Sequence, residues 1–262
     1  MLHHDCYYTK GVTHKVCEDY ITQGDTPIPF IVLSDGCSAS PNSDVGAQIL
    51  TLTARQMLEK TTAWPLDYFD FGQQLISTAF KVTEELQVPN EVLDATVMLA
   101  FLHENDIMVH VYGDGCLLFK DHDGNVGTIE IVFTHNAPYY LTYWINEERL
   151  LEYATFEQKP LVITDSVNGQ SEPKPFQTQL VFCLPLKKFK VIAIASDGAS
   201  HCVDTRQKII VPLYEVANHL LAFKNLTGEF VKHHTKNALE DYAQQGIYPV
   251  DDLSIGVFVN EK

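Results

Sequence analysis

Three stretches of this sequence share one pattern and decide the fold: FIVLSDG at residues 30–36, MVHVYGDG at residues 108–115 and VIAIASDG at residues 191–198. Each is an apolar run with β-branched residues that stops at an Asp followed by a Gly. Such runs predict buried strands, and the glycine allows a turn or a close approach of the backbone to a ligand. If the three strand ends converge in the fold, their carboxylates meet at one edge of a sheet.

Two acidic pairs stand beside further strand-like runs. Asp251-Asp252 immediately precedes the apolar run LSIGVFV, and Glu18-Asp19 follows a short β-compatible stretch. A cluster of four or more carboxylates repels itself unless a cation neutralises it. Carboxylate and carbonyl oxygens are hard ligands, which favour Mg²⁺ or Mn²⁺ over zinc or copper. A single Asp-Gly after a strand is usually only a β-turn, so the spacing leaves a turn and a metal site both open.

The remaining pattern predicts strands separated by helix pairs. Strands are expected at residues 30–33, 96–102, 107–112, 116–120, 129–134, 139–144, 180–184, 191–195 and 253–259. Helices are expected where apolar residues recur every three or four positions, around residues 43–57, 75–86, 212–223 and 226–245. This order predicts an α+β fold in which helices cover the sheet faces. Residues 164–175 are predicted to form an exposed excursion, and residues 1–262 a single domain.

Composition excludes several classes of protein. The chain has 262 residues, 45% hydrophobic, with 18 Lys+Arg against 34 Asp+Glu and a formal net charge of −16. This balance excludes wholesale disorder, and the negative charge argues against binding to nucleic acid or to an anionic membrane. The six cysteines are scattered without a CxxC pair, so neither a disulfide framework nor a zinc cluster is expected. With no membrane-length apolar run and no signal pattern, we expect a soluble, cytoplasmic protein.

Taken in order, these motifs resemble the metal-dependent protein phosphatase family, the type 2C serine/threonine phosphatases. The likeness extends from Gly11 to Val259. Each motif is weak alone, but the ordered set within one chain is specific. The matching motifs are HKVCED at 14–19, VLSDG at 32–36, DAT at 94–96, GD at 113–114, SDG at 196–198 and DDLS at 251–254.

The resemblance implies a four-layer α-β-β-α sandwich of two mainly antiparallel sheets flanked by helix pairs, with two Mg²⁺ or Mn²⁺ ions in the cleft between the sheets. Asp35 would bridge both ions, and Asp197 and Asp251 would complete the shell of one. Asp114, with Asp197, would hold a third, weaker ion. The full set of implied metal ligands is Glu18, Asp19, Asp35, the Gly36 carbonyl, Asp114, Asp197 and Asp251.

The activity implied is phosphate monoester hydrolysis on phosphoserine or phosphothreonine in proteins, carried out by a hydroxide that bridges the metals. Asp35, Asp197 and Asp251 would be catalytic through the ions that they hold. The expected partner is a phosphorylated protein, and the charge of −16 favours basic residues flanking the phosphate. Two alternatives stay open: a binding or regulatory module with weak or no catalysis, and a phosphatase of a small phosphorylated metabolite.

One departure from the family pattern bears on phosphate binding. The family's opening arginine clamps the substrate phosphate, and His14 stands at that position here. If the stretch from Gly11 is a strand, His14 and Glu18 share a face, so the imidazole points towards the same site. Histidine lacks the two-pronged geometry of arginine, so we expect His14 to bind phosphate more weakly. The alternative is a histidine that is only hydrogen-bonded within the sheet.

Smaller departures concern other candidate groups. Cys37 follows the first Asp-Gly, where some family members have a histidine proposed as a general acid, and His201 is a candidate replacement. Two pairs of adjacent histidines, at 3–4 and 233–234, are further candidates for a metal site. We predict a mobile terminus for the first pair and a helix for the second, where neighbouring side chains face apart and cannot share a metal.

Overall fold

The strands of the chain form two large sheets and one small sheet. The computed structural model describes residues 1–155, 161–165, 171–175 and 179–261. In that part of the chain the strands are β1 (Leu2–Thr9), β2 (Asp19–Gly24), β3 (Phe30–Gly36), β4 (Ala95–His103), β5 (Asp106–Tyr112), β6 (Gly115–Asp121), β7 (Val126–Val132), β8 (Leu161–Asp165), β9 (Ser171–Pro175), β10 (Val181–Pro185), β11 (Phe189–Ala195), β12 (Cys202–Asp204), β13 (Ile209–Ile210), β14 (Ile247–Pro249) and β15 (Leu253–Asn260).

The helices lie in pairs around these strands, with one short exception. They are α1 (Ser43–Lys60), α2 (Tyr68–Leu86), α3 (Glu147–Ala154), α4 (Leu213–Leu220) and α5 (Phe230–Gln245). Short 3-10 helices cover Asn90–Leu93, Thr134–Asn136, Leu141–Trp144 and Asp197–Ala199. Among the described residues, none of the helices is long and apolar enough to cross a membrane.

Both large sheets are antiparallel. One has seven strands in the order β1-β15-β11-β6-β7-β8-β9, and the other has five in the order β10-β5-β4-β3-β2. The small sheet has three strands in the order β13-β12-β14. The order of strands places β3 and β4 inside the five-stranded sheet and β11 and β15 inside the seven-stranded sheet. The motifs lie on or next to these strands and at the turn between β5 and β6.

The apolar side chains divide into three layers, and β3 shows why. Phe30 and Val32 belong to the cluster that packs on α1 and α2, whereas Ile31 and Leu33 belong to the cluster between the sheets. All four side chains are fully buried, because successive residues of a strand point to opposite faces and both faces are covered. A third cluster joins the seven-stranded sheet to α4 and α5. The predicted α+β fold, a four-layer α-β-β-α sandwich of two antiparallel sheets flanked by helix pairs, is confirmed.

Several predicted elements need correction. Residues 139–144 are not a strand, because Leu141–Trp144 forms a 3-10 helix that packs Trp144 against Tyr68 and Tyr112. The strand before it runs over Val126–Val132, so it begins three residues earlier than the predicted strand at 129–134. The predicted excursion at 164–175 contains the ends of β8 and all of β9, and its centre lies outside the described residues. Helix α3 was not predicted.

The N-terminal residues were also predicted wrongly. His3 and His4 are not in a mobile terminus; they lie in β1, which pairs with β15 along its whole length. Conversely, the stretch from Gly11 to Glu18 is not a strand but a loop, and β2 begins only at Asp19. The apolar alternation is weak in both stretches, so local pattern could not distinguish them. The pair at 233–234 lies on α5 as predicted.

Candidate metal centre

Residues from distant parts of the chain line one small cavity of about 260 Å³. Asp35 and Gly36 end β3, Asp114 lies between β5 and β6, Asp197 follows β11, and Asp251 precedes β15. These strands belong to both large sheets, so the cavity lies where the edges of the two sheets meet. The structure therefore brings together the acidic residues at the ends of the predicted strands.

Two glycines of the Asp-Gly motifs allow close packing around this cavity. A Cβ atom at Gly36 would lie 2.7 Å from the carbonyl oxygen of Ser43, at the start of α1. A Cβ atom at Gly198 would lie only 1.9 Å from the carbonyl oxygen of Asp252. Side chains at either position would force the backbone apart, so glycine is required for the loops to approach each other this closely.

Asp19 lies behind the cavity and is not part of its lining. It pairs with Asp35 across β2 and β3, and its side chain is only 2% exposed. Its Oδ2 atom accepts a 2.7 Å hydrogen bond from the Ser196 hydroxyl, while its Oδ1 atom is buried without a hydrogen-bond partner. A buried carboxylate oxygen without a donor is costly, and a cation is the type of partner that would satisfy it.

Burial controls the electrostatics of these carboxyl groups. Burial raises the pKa of Asp35 well above its ordinary value, and the charges of Asp19 and Asp197 raise it further. Burial also raises the pKa of Asp114 well above the ordinary value, with a contribution from Asp197. The same cause raises the pKa of Asp19 to about 7. Without a cation, the cluster holds its protons far more tightly than carboxyl groups in water do.

The ionic partners of the four carboxylates that line the cavity indicate which kind of cation the cavity could bind. Within the described residues, no lysine or arginine pairs with Asp35, Asp114, Asp197 or Asp251. Asp197 and Asp251 instead pair with histidines. His201 lies 3.5 Å from Asp197 and 3.8 Å from Asp251, and His14 lies 3.4 Å from Asp251. Asp197, His201 and Asp251 each offer one ligand atom, and these atoms lie within 4.8 Å of one another. Clustered carboxylate oxygens without a lysine or arginine partner fit Mg²⁺ or Mn²⁺.

Glu18 faces this region but is bonded to serines. Its two carboxylate oxygens accept hydrogen bonds from Ser43 at 2.6 Å and Ser38 at 2.5 Å. Its backbone carbonyl accepts a hydrogen bond from the Gly36 amide at 3.2 Å. Glu18 therefore connects the loop before β2 to the segment that follows Asp35, and it does not line the acidic cavity.

The loop at residues 11–18 is organised by Asp252, whose side chain is 1% exposed. Its two oxygens accept hydrogen bonds from the backbone amides of Gly11, at 2.7 Å, and Glu18, at 2.5 Å. The sequence marks Asp252 as half of an acidic pair, but the predicted metal role fell only on Asp251. That Asp252 instead holds a loop 234 and 241 residues away could not be read from its neighbours in sequence.

His14 lies in this loop among three carboxylates. Its ring nitrogens are 3.0 Å from Asp252, 3.4 Å from Asp251 and 3.6 Å from Glu18. Burial lowers the pKa of His14, but hydrogen bonding and charge from Asp252, with help from the other two, outweigh it and raise the pKa. The imidazole therefore lies beside Asp251, one of the carboxylates of the cavity, and a loop rather than the predicted strand places it there.

A second wall of the cavity is formed by residues 134–154, here called the rim segment. It contributes Asn136, Pro138 and Tyr140 to the lining. None of the three was predicted, because residues 139–144 have the pattern of a strand and contain no motif. Tyr140 is 8% exposed, and burial raises the pKa of its hydroxyl.

The Arg149–Asp94 ion pair connects the rim segment to the rest of the protein, in addition to the packing of Leu141 and Trp144 against the core that contains α2. The guanidinium of Arg149 in α3 donates two hydrogen bonds to the Asp94 carboxylate, at 2.9 and 2.7 Å. The Thr142 hydroxyl donates a third, at 2.7 Å, and the Ser40 hydroxyl a fourth, at 3.2 Å. The Asp94 carbonyl also accepts the Cys37 amide at 2.9 Å. Asp94 therefore connects the rim segment to the loop that follows Asp35 and Gly36.

The comparison with known families identifies the class of protein. A family model described as protein phosphatase 2C matches residues 11–240. The match spans most of the chain, and the chain therefore belongs to the protein phosphatase 2C family. No curated protein gives a significant match.

Solved structures show the same fold. The serine/threonine phosphatase Stp1 from Staphylococcus aureus is 16% identical, with a TM-score of 0.60, over 100% of this chain and 96% of that chain. The Mycobacterium tuberculosis serine/threonine phosphatase PstP/Ppp is 14% identical, with a TM-score of 0.55, over 100% of this chain and 99% of that one. A PstP catalytic domain in complex with two manganese ions is 13% identical, with a TM-score of 0.52, over 98% and 97%.

Proposed function

We propose that this chain is a divalent-cation-dependent phosphomonoesterase that removes phosphate from phosphoserine or phosphothreonine in proteins. The observation that carries the proposal is the convergence of Asp35, Asp114, Asp197 and Asp251 on one cavity with no lysine or arginine partner in the described part of the chain. Membership of the protein phosphatase 2C family supports it. Because both sheets share one apolar layer, we infer that residues 1–262 act as one domain.

The proposed cofactors are two Mg²⁺ or Mn²⁺ ions, and the manganese complex of the PstP domain supports this number. Asp35, the Gly36 carbonyl, Asp197 and Asp251 would hold them, and Asp114 with Asp197 would serve a third, weaker site. Such ions, when bound, supply Lewis-acid stabilisation of phosphoryl oxygens and lower the pKa of a water molecule.

The chain's own residues have distinct parts in this proposal. Ser196 fixes the orientation of Asp19 behind the cavity, and Asp252 fixes the loop that carries His14. A protonated His14 donates a hydrogen bond to the substrate phosphate at the cavity edge, where the family has arginine. Tyr140 closes the opposite side and excludes water. Glu18, which the sequence suggested as a metal ligand, contributes through the serines to which it is bonded.

The cavity has a volume of about 260 Å³. It accommodates a phosphoryl group and the end of a side chain, so a phosphorylated side chain can enter it while the rest of a protein substrate stays outside. The net charge of −16 favours peptides with basic residues around the phosphate.

Phosphate release should be measured with Mn²⁺, Mg²⁺ and EDTA on p-nitrophenyl phosphate, on phosphoserine and phosphothreonine peptides with basic or acidic flanks, and on phosphorylated metabolites. We expect hydrolysis with Mn²⁺, none in EDTA, and faster turnover of the basic peptides. Full activity in EDTA would overturn metal dependence. Preference for one metabolite over every peptide would support the metabolite phosphatase instead.

One observation favours a second candidate, a regulatory module with little or no catalysis. His14 replaces the phosphate-clamping arginine and lies within 3.6 Å of three carboxylates, which compete with phosphate for its protons. This module predicts Mn²⁺ binding, measured by calorimetry, without release of phosphate from any substrate. The enzyme predicts both, and we favour it because the proposed direct metal ligands are all present.

A further inference from the structure

A second cavity, of about 900 Å³, lies at the end of the seven-stranded sheet remote from the acidic residues. Three strands that carry Asp114, Asp197 and Asp251 at one end carry lining residues of this cavity at the other. These lining residues are Lys120 in β6, Lys190 in β11 and Val259 in β15. A strand of seven residues spans about 20 Å, so the two cavities are separate sites.

The register of the sheet defines the floor of this second cavity. Lys120 lies opposite Val191, Val191 lies opposite Val259, and Val259 lies opposite His3. Directly opposed residues of antiparallel strands point to the same face. Because Val191 and Val259 pack towards α4 and α5, Lys120 and His3 leave the sheet on that side. The connection between these helices, residues 221–227, forms the facing wall.

The lining is basic in an otherwise acidic protein. It includes Lys120, Lys190 and Lys224, whereas its carboxylate is that of Glu261. Glu261 is already bonded to His3 at 2.8 Å. Within the described residues, the ammonium groups of the three lysines have no hydrogen bond or ion pair, although the chain carries 34 acidic residues. The three ammonium groups are therefore available to an external anion.

Apolar surface lies between these charges. Val191, Leu221 and Val259 are at most 3% exposed, so they support the cavity from beneath and offer little surface to a ligand. The apolar floor that a ligand can touch is formed by Phe223 and Leu226, which pack against the same cluster and are half-buried. An apolar floor with cationic groups around it matches an amphipathic anion better than it matches inorganic phosphate, which has no apolar part.

We propose that this cavity binds a small organic molecule with a multiply charged phosphate group, of the class of a nucleoside diphosphate. The phosphates would contact the three lysines, and the nucleoside would cover the apolar floor. The cavity volume lies within the range of small-molecule sites. This site is independent of the proposed phosphatase activity, since it needs neither the acidic cavity nor a metal.

Binding of ADP to the full chain should be measured by titration calorimetry in EDTA. Without metal, the carboxylates of the acidic cavity repel anions, so binding under this condition reports on the basic cavity. We expect one ADP per chain, with affinity that falls as salt is added. Lys190→Glu and Lys224→Glu should each weaken binding about 10-fold or more, because a hydrogen bond to a charged group is lost and a repulsion is introduced.

Lys81→Glu is the matched control, since it makes the same charge change on an exposed residue of α2, on the other side of the sandwich. It should leave ADP binding unchanged. Loss of binding in this control equal to that in Lys190→Glu would overturn the site assignment, and so would absence of ADP binding to the unaltered chain. Adenosine should not bind measurably. Pyrophosphate binding as tightly as ADP would overturn the role of the apolar floor.

Discussion

The floor of the acidic cavity and its rim segment are held by different interactions. The floor consists of Asp35, Asp114, Asp197 and Asp251 at the ends of buried strands that are hydrogen-bonded on both sides. The rim segment consists of 3-10 turns and α3, a helix without any buried residue. The ion pair between Arg149 and Asp94 attaches it, together with the packing of Leu141 and Trp144 against the core that contains α2.

Because of this difference, metal binding and substrate handling should vary independently. The floor is fixed by the same sheet register that builds the core, so its geometry cannot change without loss of the fold. The rim segment depends on the polar contacts around Asp94 in addition to this packing, so loss of those contacts can loosen it while the strands remain intact. Metal binding should therefore follow the floor, and substrate handling should follow the rim segment as well.

The largest expected effect comes from the floor. Asp35→Asn removes a proposed metal-bridging carboxylate and should lower kcat/KM on a phosphopeptide by about 10³-fold, the equivalent of about 4 kcal/mol of transition-state stabilisation. The same change replaces a carboxyl group whose pKa is raised by burial with an amide that cannot ionise, so near neutral pH the metal-free variant should melt at a higher temperature than the unaltered protein. Phosphate release and thermal melting in EDTA measure the two effects.

Asp123→Asn is the control for this substitution, because Asp123 lies in the exposed turn between β6 and β7. It should change neither activity nor melting temperature. An Asp35→Asn protein that retains full activity and Mn²⁺ affinity would contradict the proposed function.

The second effect tests the rim segment. Arg149→Met should lower kcat/KM about 10-fold by misplacing the wall that contains Tyr140, while Mn²⁺ affinity changes less than about 2-fold. It should also lower the free energy of unfolding by about 2 kcal/mol, because the Asp94 carboxylate is buried and Arg149 only partly exposed. Urea unfolding and Mn²⁺ calorimetry measure these changes.

The exposed pair of Arg55 and Glu59 provides a matched control for Arg149→Met. These two side chains lie 2.8 Å apart and are both more than two-fifths exposed. Arg55→Met should therefore lower the free energy of unfolding by less than about 1 kcal/mol. In the double variant Asp94→Asn, Arg149→Met, the loss should be smaller than the sum of the single losses. Additive losses would show that the pair does not attach the rim segment.

The third effect concerns the pH dependence of the metal-free floor. The Asp19 carboxyl has an ordinary pKa of 3.8 when unfolded and a pKa of about 7 when folded. A raised folded pKa stabilises the protein at low pH, and this stability is lost as pH rises through the folded value. From pH 6 to pH 8, Asp19 alone should cost about 1 kcal/mol, or about 3 °C in melting temperature.

This prediction is checked by thermal melting in EDTA at both pH values. Asp19→Asn should reduce the difference, since the neutral amide keeps the hydrogen bond from Ser196 and cannot ionise. Saturating Mn²⁺ should reduce it as well. A metal-free protein that melts at a higher temperature at pH 8 than at pH 6 would contradict the electrostatic account of the floor.

The smallest expected effect concerns His14, which lies beside the floor and opposite the rim segment. His14→Ala removes one hydrogen-bond donor to phosphate and should lower kcat/KM about 5-fold, the equivalent of about 1 kcal/mol. Most of the change should be in KM. Lys15→Ala, at the exposed neighbouring position, should have no effect. If His14→Ala lowers the melting temperature and leaves KM unchanged, the role of His14 is structural.

The sequence predicted the floor well because strands have a simple local signal. In β3, β5 and β11 an apolar run ends at or near Asp-Gly, and that pattern correctly located the carboxylates at strand ends. The helices α1, α2, α4 and α5 were predicted for a similar reason, since an apolar stripe of helical period records the face that must be buried. Each of these signals is contained within a short stretch of the chain.

The rim segment and the loop at 11–18 could not be predicted in this way. Aromatic residues at 139–144 have strand propensity, but packing against α2 gives them a 3-10 conformation instead. Asp94 and Arg149 are 55 residues apart, and nothing at either position indicates the other. Asp252 accepts hydrogen bonds from backbone amides that are more than 230 residues away along the chain.

Local sequence pattern was therefore enough to predict an α+β fold with helices on the sheet faces and acidic residues at strand ends, because burial periodicity and Asp-Gly breaks are local features. The four-layer arrangement and the set of carboxylates expected to meet came from the family resemblance. That Asp252 holds a loop and Asp94 binds an arginine became evident only in the folded structure. Those outcomes depend on contacts between segments that are far apart along the chain. Their free energy comes from burial and pairing in the folded protein, and neither exists before the sheets pack together.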